Sequence, residues 1–359
     1  MRTQSKYRVL VVRLGAMGDI LHALPAVTAL RQAHLNWTID WVVEPKWSAL
    51  LAAADSTARD TEAEKPRQPL VDNLHFAPTK AWRKQPLSRT TRSELGALRS
   101  ALRAGQYDTV IDLQGAVRSA IVARMAGARR LIGESNPREH AARLLFNERV
   151  TTTGTHVTEQ DVELVNAIAG DALAPVRAML PVDDAAEQLA DALLAPAGSV
   201  PLVLMNPGAG WGAKRWPVER YAEVARGLTE RGMRVVVNSG PGEEAMAETI
   251  VERTGGSAIV LAGDVSLLIA VARRVALAVA GDTGPLHLAC ALGKPVVGIF
   301  GPTDPSRNGP FLTRFTVLRS PESRRDHTRR AEPEAGLLTI EPEAVLQAAD
   351  ALLYPEATQ

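Results

Sequence analysis

One cysteine, Cys290, in 359 residues excludes an internal disulfide and a cysteine-built zinc site. Long apolar runs are missing too. Stretches such as 275–280 and 295–300 fall far short of the ~18 uninterrupted apolar residues that a membrane-spanning helix needs. The first apolar run, 9–12, is broken by Arg13 and Asp19, and no small-residue cleavage pattern follows it. No signal peptide is expected, and a cytoplasmic home is. Aromatic residues are scarce, at 4%, and only Trp82 lies among the charges from Lys80 to Arg103. Readers of single-stranded nucleic acid need more stacking platforms than that, so no nucleic-acid partner is expected. The remainder is ordinary for a globular chain: 46% hydrophobic and 23% charged. At roughly 100–200 residues per domain, the length suits two or three domains.

The net charge of +1 conceals an asymmetry. Residues 1–149 hold 23 Lys+Arg against 14 Asp+Glu, a balance of +9, and the remainder holds 18 against 26, a balance of −8. Most of the excess lies in 80–149, and its densest part runs through Lys80, Arg83, Lys84, Arg89, Arg92, Arg99 and Arg103 around a single Glu94. Such a field attracts an anionic partner, either an acidic membrane surface or a phosphorylated substrate, unless it is only a solvated helix face.

Short apolar runs alternate with helical patterns along the chain. Residues 8–13 read as a buried strand, 19–33 as a helix, 38–43 as a strand, and 107–113 as a strand leading into a helix near 117–125. The alternation restarts with strand 202–205, helix 218–231, strand 234–238 and a helix beginning near Glu243. It continues through strands 257–261, 276–280 and 296–300, with helices over 266–274, 286–292 and near 343–353. Such alternation builds parallel sheets flanked by helices, because parallel strands need crossover connections. The expected fold is α/β, with an N-terminal domain over 1–171, a linker over 172–200 and a C-terminal domain over 201–359. The last helix can pack back on the first domain. Residues 52–92 read as a long charged excursion, and 320–334 as an irregular loop.

Ligands of open α/β sheets bind at the carboxyl ends of strands, which directs attention to three turns. The first, Arg13-Leu-Gly-Ala-Met-Gly-Asp19, has GxxG spacing and lacks the later acidic residue of a dinucleotide fingerprint, which disfavours hydride transfer. Asp19 can serve there as a helix cap or as a catalytic carboxylate, and His22 follows one turn behind. The second, Asn206-Pro-Gly-Ala-Gly-Trp-Gly-Ala-Lys-Arg-Trp-Pro217, combines three glycines with Lys214 and Arg215 and looks like a diphosphate cradle. Its lysine is not followed by Ser or Thr, as it would be in a Walker loop, so an ATPase is not expected. The third, Gly281-Asp-Thr-Gly-Pro-Leu-His287, followed by Phe300-Gly-Pro-Thr-Asp-Pro305, offers N–H groups, a hydroxyl and a helix N-terminus to an anion.

Arg13–Asp19 with Leu24-Pro25, Trp41-Val-Val-Glu44, Asp112-Leu-Gln-Gly115 with Arg118-Ser119, Lys214-Arg-Trp-Pro217, Gly281–His287 and Gly301–Pro305 occur in one order. Together they resemble the ADP-heptose:lipopolysaccharide heptosyltransferases of glycosyltransferase family 9, and their type I branch most. The resemblance implies a GT-B architecture, two Rossmann-like doubly wound parallel-sheet domains facing a central cleft. It implies ADP-L-glycero-D-manno-heptose on the second domain and Kdo-lipid A on the first, in an enzyme peripheral to the cytoplasmic face of the inner membrane. Carried over by motif, Asp19 is the general base, and Asn206, Gly208, Lys214, Asp282, Thr283, Gly284 and His287 contact the donor. Either Glu243 or Glu244 holds the nucleoside. Gly18, His22, Gln114, Arg118, Arg83 and Lys84 are the expected acceptor contacts, Arg83 and Lys84 on the strength of the basic field. No metal and no cofactor are implied. The residues agree with single-displacement, inverting chemistry, in which a carboxylate takes the acceptor proton while positive groups meet the leaving diphosphate. Rival readings are a type II or other family 9 transferase, a nucleotide-sugar epimerase, and a binding protein whose catalysis is lost.

Overall fold

The computed structural model describes residues 6–53, 69–240, 242–326 and 328–354. The chain divides into two compact units, Met1–Pro181 and Val182–Gln359. In the first, β1 (Arg8–Val12), β2 (Thr38–Val43), β3 (Asn73–Phe76), β4 (Thr109–Asp112), β5 (Arg130–Glu134) and β6 (Glu148–Val150) form one sheet in the order β3-β2-β1-β4-β5-β6. In the second, β7 (Leu202–Asn206), β8 (Arg234–Asn238), β9 (Ile259–Leu261), β10 (Leu277–Gly281), β11 (Val296–Phe300) and β12 (Phe315–Arg319) follow the order β12-β11-β10-β7-β8-β9. Every pairing is parallel. Both sheets reverse their order beside their first strand, between β1 and β4 and between β7 and β10. These are the places where an open α/β sheet receives a ligand.

Central strands of such sheets are covered on both faces, and their sequences show it. Val11 lies opposite Trp41 on one side and Ile111 on the other, and all three are fully buried. Leu10, Val12, Trp82, Leu98, Leu102 and Tyr107 belong to the core of the first unit, and Val203, Met205, Trp216, Tyr221, Val237 and Val279 to that of the second. The last helix, Pro342–Leu353, packs on helix Val218–Glu230 and on β10, β11 and β12.

Several elements differ from the expected ones. Helix Met17–Ala33 starts two residues early, so Asp19 is its third residue rather than its first. The excursion expected over 52–92 contains β3 and helix Thr79–Lys84, and helix Arg89–Ala104 begins within its last turns, while residues 54–68 lie outside the described residues. Residues 172–200, read as a linker, contain helix Asp184–Leu194, whose Glu187 and Asp191 pair with Arg273 and Arg274 of helix Val265–Arg274. Cys290 is buried on helix Gly284–Ala291, and burial pushes its thiol up to about 12.

Candidate active site

The chain leaves β1 through a turn that three neighbours hold. Leu14 N–H donates to Gln114 Oε1 at 2.7 Å, and Leu14 O accepts from Glu44 N–H at 3.0 Å. Gly15 has φ +146°, and a Cβ there would lie 2.7 Å from Trp47 Nε1, so no other residue fits. Asp19 accepts from Ala16 N–H at 2.9 Å, which closes the helix start, yet 36% of its side chain stays exposed. Arg13 is buried beside it. Its Nε donates to Asp19 O at 3.0 Å, one terminal nitrogen lies 3.8 Å from Asp19 Oδ1, and the other lies 4.0 Å from Asp161 Oδ1. Arg138 approaches Asp19 Oδ2 from outside at 4.0 Å. Asp19 is therefore both the helix cap and an accessible carboxylate.

The turn after β4 lies against this one. Asp112 Oδ1 accepts from Gln114 N–H at 2.8 Å, Gly115 N–H at 2.9 Å and Ser119 Oγ at 3.1 Å. Burial pushes Asp112 up to about 6 in spite of those bonds. Gln114 is thus first a clamp between two turns. Its Nε2 is buried without a hydrogen-bond partner among the described residues, a donor still to be used. Gly18 is half-buried in the first helical turn, and Arg118 is exposed. His22 is buried and packs edge-on against His156, with ring centres 5.3 Å apart. Arg83 and Lys84 end the helix Thr79–Lys84 and are exposed on the surface.

In the second unit, Asn206 at the end of β7 joins three turns. Its Oδ1 accepts from Asn238 Nδ2 at 2.7 Å, and its Nδ2 donates to Gly208 O at 3.0 Å and Thr283 Oγ1 at 3.3 Å. A Cβ on Gly208 would fall on the Glu243 carboxylate, so a larger residue there would push that side chain aside. Glu243 Oε2 also accepts from Gly240 N–H at 3.0 Å. Glu244 Oε1 accepts from Gly242 N–H at 3.1 Å instead. This residue opens helix Glu244–Arg253, and backbone N–H groups of Glu244 and Gly242 hold its exposed carboxyl below the usual range.

Lys214 closes a 3₁₀ turn over Gly212–Lys214 and stands 4.3 Å above the Trp211 ring. Its Nζ donates to Asp282 O at 3.1 Å and pairs with Asp282 Oδ2, while Asp282 Oδ1 lies 3.1 Å from His287 Nε2. Burial works to raise the Asp282 pKa, but the His287 hydrogen bond and the Lys214 charge outweigh it and hold the carboxyl well below its usual range. Thr283 Oγ1 donates to Gly281 O at 3.1 Å, and Gly284 begins the helix carrying His287. Among the described residues, no three His, Cys, Asp or Glu side chains gather as metal ligands would.

Two switch points, one with an accessible carboxylate and one with a cationic glycine-rich cradle, match a known pattern. The model of glycosyltransferase family 9 (heptosyltransferase) matches residues 95–337. The chain belongs to that family. It is 32% identical over 329 residues to lipopolysaccharide heptosyltransferase 1 of Escherichia coli K12, covering 88% of this chain and 94% of the relative. Its fold matches the E. coli heptosyltransferase WaaC with ADP, with TM-score 0.77 at 26% identity over 96% of this chain and 99% of that one. The same enzyme with ADP-2-deoxy-2-fluoro heptose matches with TM-score 0.73 at 27% identity, over 96% and 99%. The architecture is the GT-B fold of heptosyltransferases, and the protein is a glycosyltransferase.

For this family 9 enzyme the structure gathers Asp19, Gly18 and Gln114 at one switch point and Asn206, Gly208, Lys214, Glu243, Asp282, Thr283 and His287 at the other. Arg13, the buried guanidinium behind Asp19, is not among the site residues expected from the sequence. A charge that ends an apolar strand and directly precedes a glycine turn is the signal that marks it. The motif Trp41-Val-Val-Glu44 marks Glu44 only as a strand end. Glu44 in fact ties helix Thr79–Lys84 to the Asp19 turn, because its Oε1 accepts from Thr79 Oγ1 at 2.5 Å and Lys80 N–H at 3.2 Å.

Proposed function

We propose that the enzyme transfers heptose from ADP-L-glycero-D-manno-heptose to a Kdo residue of the lipopolysaccharide inner core, with inversion and without a divalent metal. The observation that carries this reading is Asp19, a carboxylate exposed at the carboxyl end of β1 yet fixed by Ala16 N–H and flanked by Arg13. It takes the proton of the attacking hydroxyl, while Lys214 and the helix N-terminus at Gly284 meet charge growing on the departing ADP. The names of the relatives support the sugar and the type I acceptor. The test is incubation with ADP-heptose and Kdo-lipid A in EDTA, with the linkage read by NMR. An α-heptosyl Kdo product is expected. Consumption of ADP-heptose that is independent of acceptor, or activity restored only by magnesium, would refute the reading.

Glu243, and not Glu244, is the nucleoside contact in this proposal, because its carboxylate sits among Gly208, Gly240 and the Asn206 turn. Glu243→Gln is expected to weaken ADP binding roughly tenfold by calorimetry. Glu244→Gln should leave it unchanged.

The basic surface of the first unit serves the membrane in this proposal. Lys80, Arg83, Lys84, Arg89, Arg92, Arg99 and Arg103 are all exposed, and Glu94 among them is engaged by Trp82 Nε1 at 2.7 Å. Leu87, 80% exposed, stands between Lys84 and Arg89 as an apolar tip. No helix among the described residues is long and apolar enough to cross a bilayer. Docking on an anionic cytoplasmic leaflet instead draws roughly 1 kcal/mol from each nearby basic residue. Replacing Arg83, Lys84 and Arg89 together by Gln should reduce binding to anionic liposomes and raise the acceptor KM, most strongly at low salt. Unchanged liposome binding at low salt would reduce these charges to a solvated surface.

A further inference from the structure

Lys214 cannot by itself neutralise a diphosphate, because Asp282 already takes up its charge. A nucleoside diphosphate brings several negative charges to the cradle, and a site built for it needs a cation that no internal carboxylate claims. The loop 320–334 supplies one. It is strapped to both turns of the donor site. Ala213 N–H donates to Arg330 O at 3.1 Å, and Glu334 N–H donates to Ala213 O at 3.2 Å. Gly212 lies so close to Ala331 that a Cβ would overlap its backbone. At the other turn Asp326 N–H donates to Pro302 O at 3.1 Å, and Arg325 pairs with Asp304.

Of the loop's four arginines, two are internally paired, Arg325 with Asp304 and Arg330 with Asp326. The other two, Arg324 and Arg329, have no acidic partner among the described residues, and of those two it is Arg329 that lies against the Trp211 ring. Its guanidinium lies 5.8 Å from the centre of the same ring that carries Lys214 at 4.3 Å. Two cations therefore share one indole, and only one of them is internally paired. Each strapped turn also holds a buried polar group without a hydrogen-bond partner among the described residues, Trp211 Nε1 and Thr303 Oγ1. Orphaned donors of this kind concentrate where a ligand or water completes the site.

We propose that Arg329, presented by the strapped loop, is the second cation of the donor diphosphate site, acting beside Lys214 on the leaving nucleoside diphosphate. This rests on the donor reading of the Lys214 turn. It adds a residue from a segment whose sequence shows only an irregular loop.

Calorimetry on the full chain with ADP and with adenosine tests the assignment. Arg329→Met retains cover for Trp211 but removes the charge. It is expected to weaken ADP binding roughly tenfold, less at high salt, and to leave adenosine unaffected. Arg329→Lys should recover ADP affinity to within about threefold of wild type. Arg324→Gln, a change in the same loop, should leave both ligands unchanged. If Arg329→Met binds ADP within about twofold of wild type while Lys214→Ala does not, Arg329 only covers the indole and the proposal falls. If both variants leave ADP binding intact, the diphosphate reading of the Lys214 turn falls with it. Equal losses for ADP and adenosine would place the effect in loop packing and overturn the assignment.

Discussion

Asp19→Ala is expected to lower turnover by about 10²–10⁴ while ADP affinity stays at the wild-type level, since the proposed function assigns proton transfer to the first unit and nucleotide affinity to the second. The alanine variant also loses the acceptor for Ala16 N–H, and a lost helix cap costs about 1 kcal/mol, so a fall in activity alone is ambiguous. Asp19→Asn separates the two roles. Its Oδ1 still accepts from Ala16 N–H, but the amide cannot take a proton at neutral pH. Turnover as low as in the alanine variant, together with a wild-type melting temperature, identifies a base. Turnover within about tenfold of wild type would leave Asp19 a helix cap only.

Lys214→Ala should both weaken ADP binding and slow the chemical step, because an ammonium beside the diphosphate matters more as the leaving group gains charge. It should also destabilise the second unit by about 3 kcal/mol, since it strands the buried Asp282 carboxylate with His287 alone. The double variant Lys214→Ala, Asp282→Asn removes the stranded charge. Stability should return while ADP binding does not. The acid limb follows with a definite sign. Asp282 has a folded pKa below its unfolded one, so the stability it contributes is present above the ordinary carboxylate range and is lost as pH falls toward the folded value. The single variant should therefore lose less stability on acidification than wild type, as scanning calorimetry between neutral and strongly acid pH would show. A variant with unaltered ADP affinity would remove Lys214 from the donor site.

How far the site was legible depended on whether its partners were near in sequence. The strand Arg8–Val12, the glycine turn behind it and the Asp-Thr-Gly before helix Gly284–Ala291 announce themselves, because strand period, turn residue and helix start are local. Strands β3, β5, β6 and β12 announce nothing of the kind. β3, β6 and β12 lie at sheet edges and have no fully buried residue, and in β5 only Leu131, Ile132 and Gly133 are buried, so no apolar run marks them. Glu243 and Glu244 follow Gly242, whose φ is +83°, and one carboxylate lies at Gly208 while the other accepts from Gly242 N–H at the start of the helix. Adjacent identical residues carry no sign of that difference. Gln114 belonged to a recognised motif, but its bond to Leu14, a hundred residues away, shows only when β1 and β4 are side by side. The same holds for the loop 320–334, whose charges acquire meaning from Ala213 and Pro302.

The solitary thiol has a practical consequence for following this enzyme at work. Cys290 is only 6% exposed and, with its pKa pushed up to about 12, holds almost no thiolate at neutral pH. Maleimide dyes and nitroxide spin labels react through the thiolate, so the native background should be close to silent. A cysteine introduced at position 87 would then carry a polarity-sensitive fluorophore without first stripping the protein of its own sulfur. Its emission on mixing with vesicles would report directly whether that tip enters lipid.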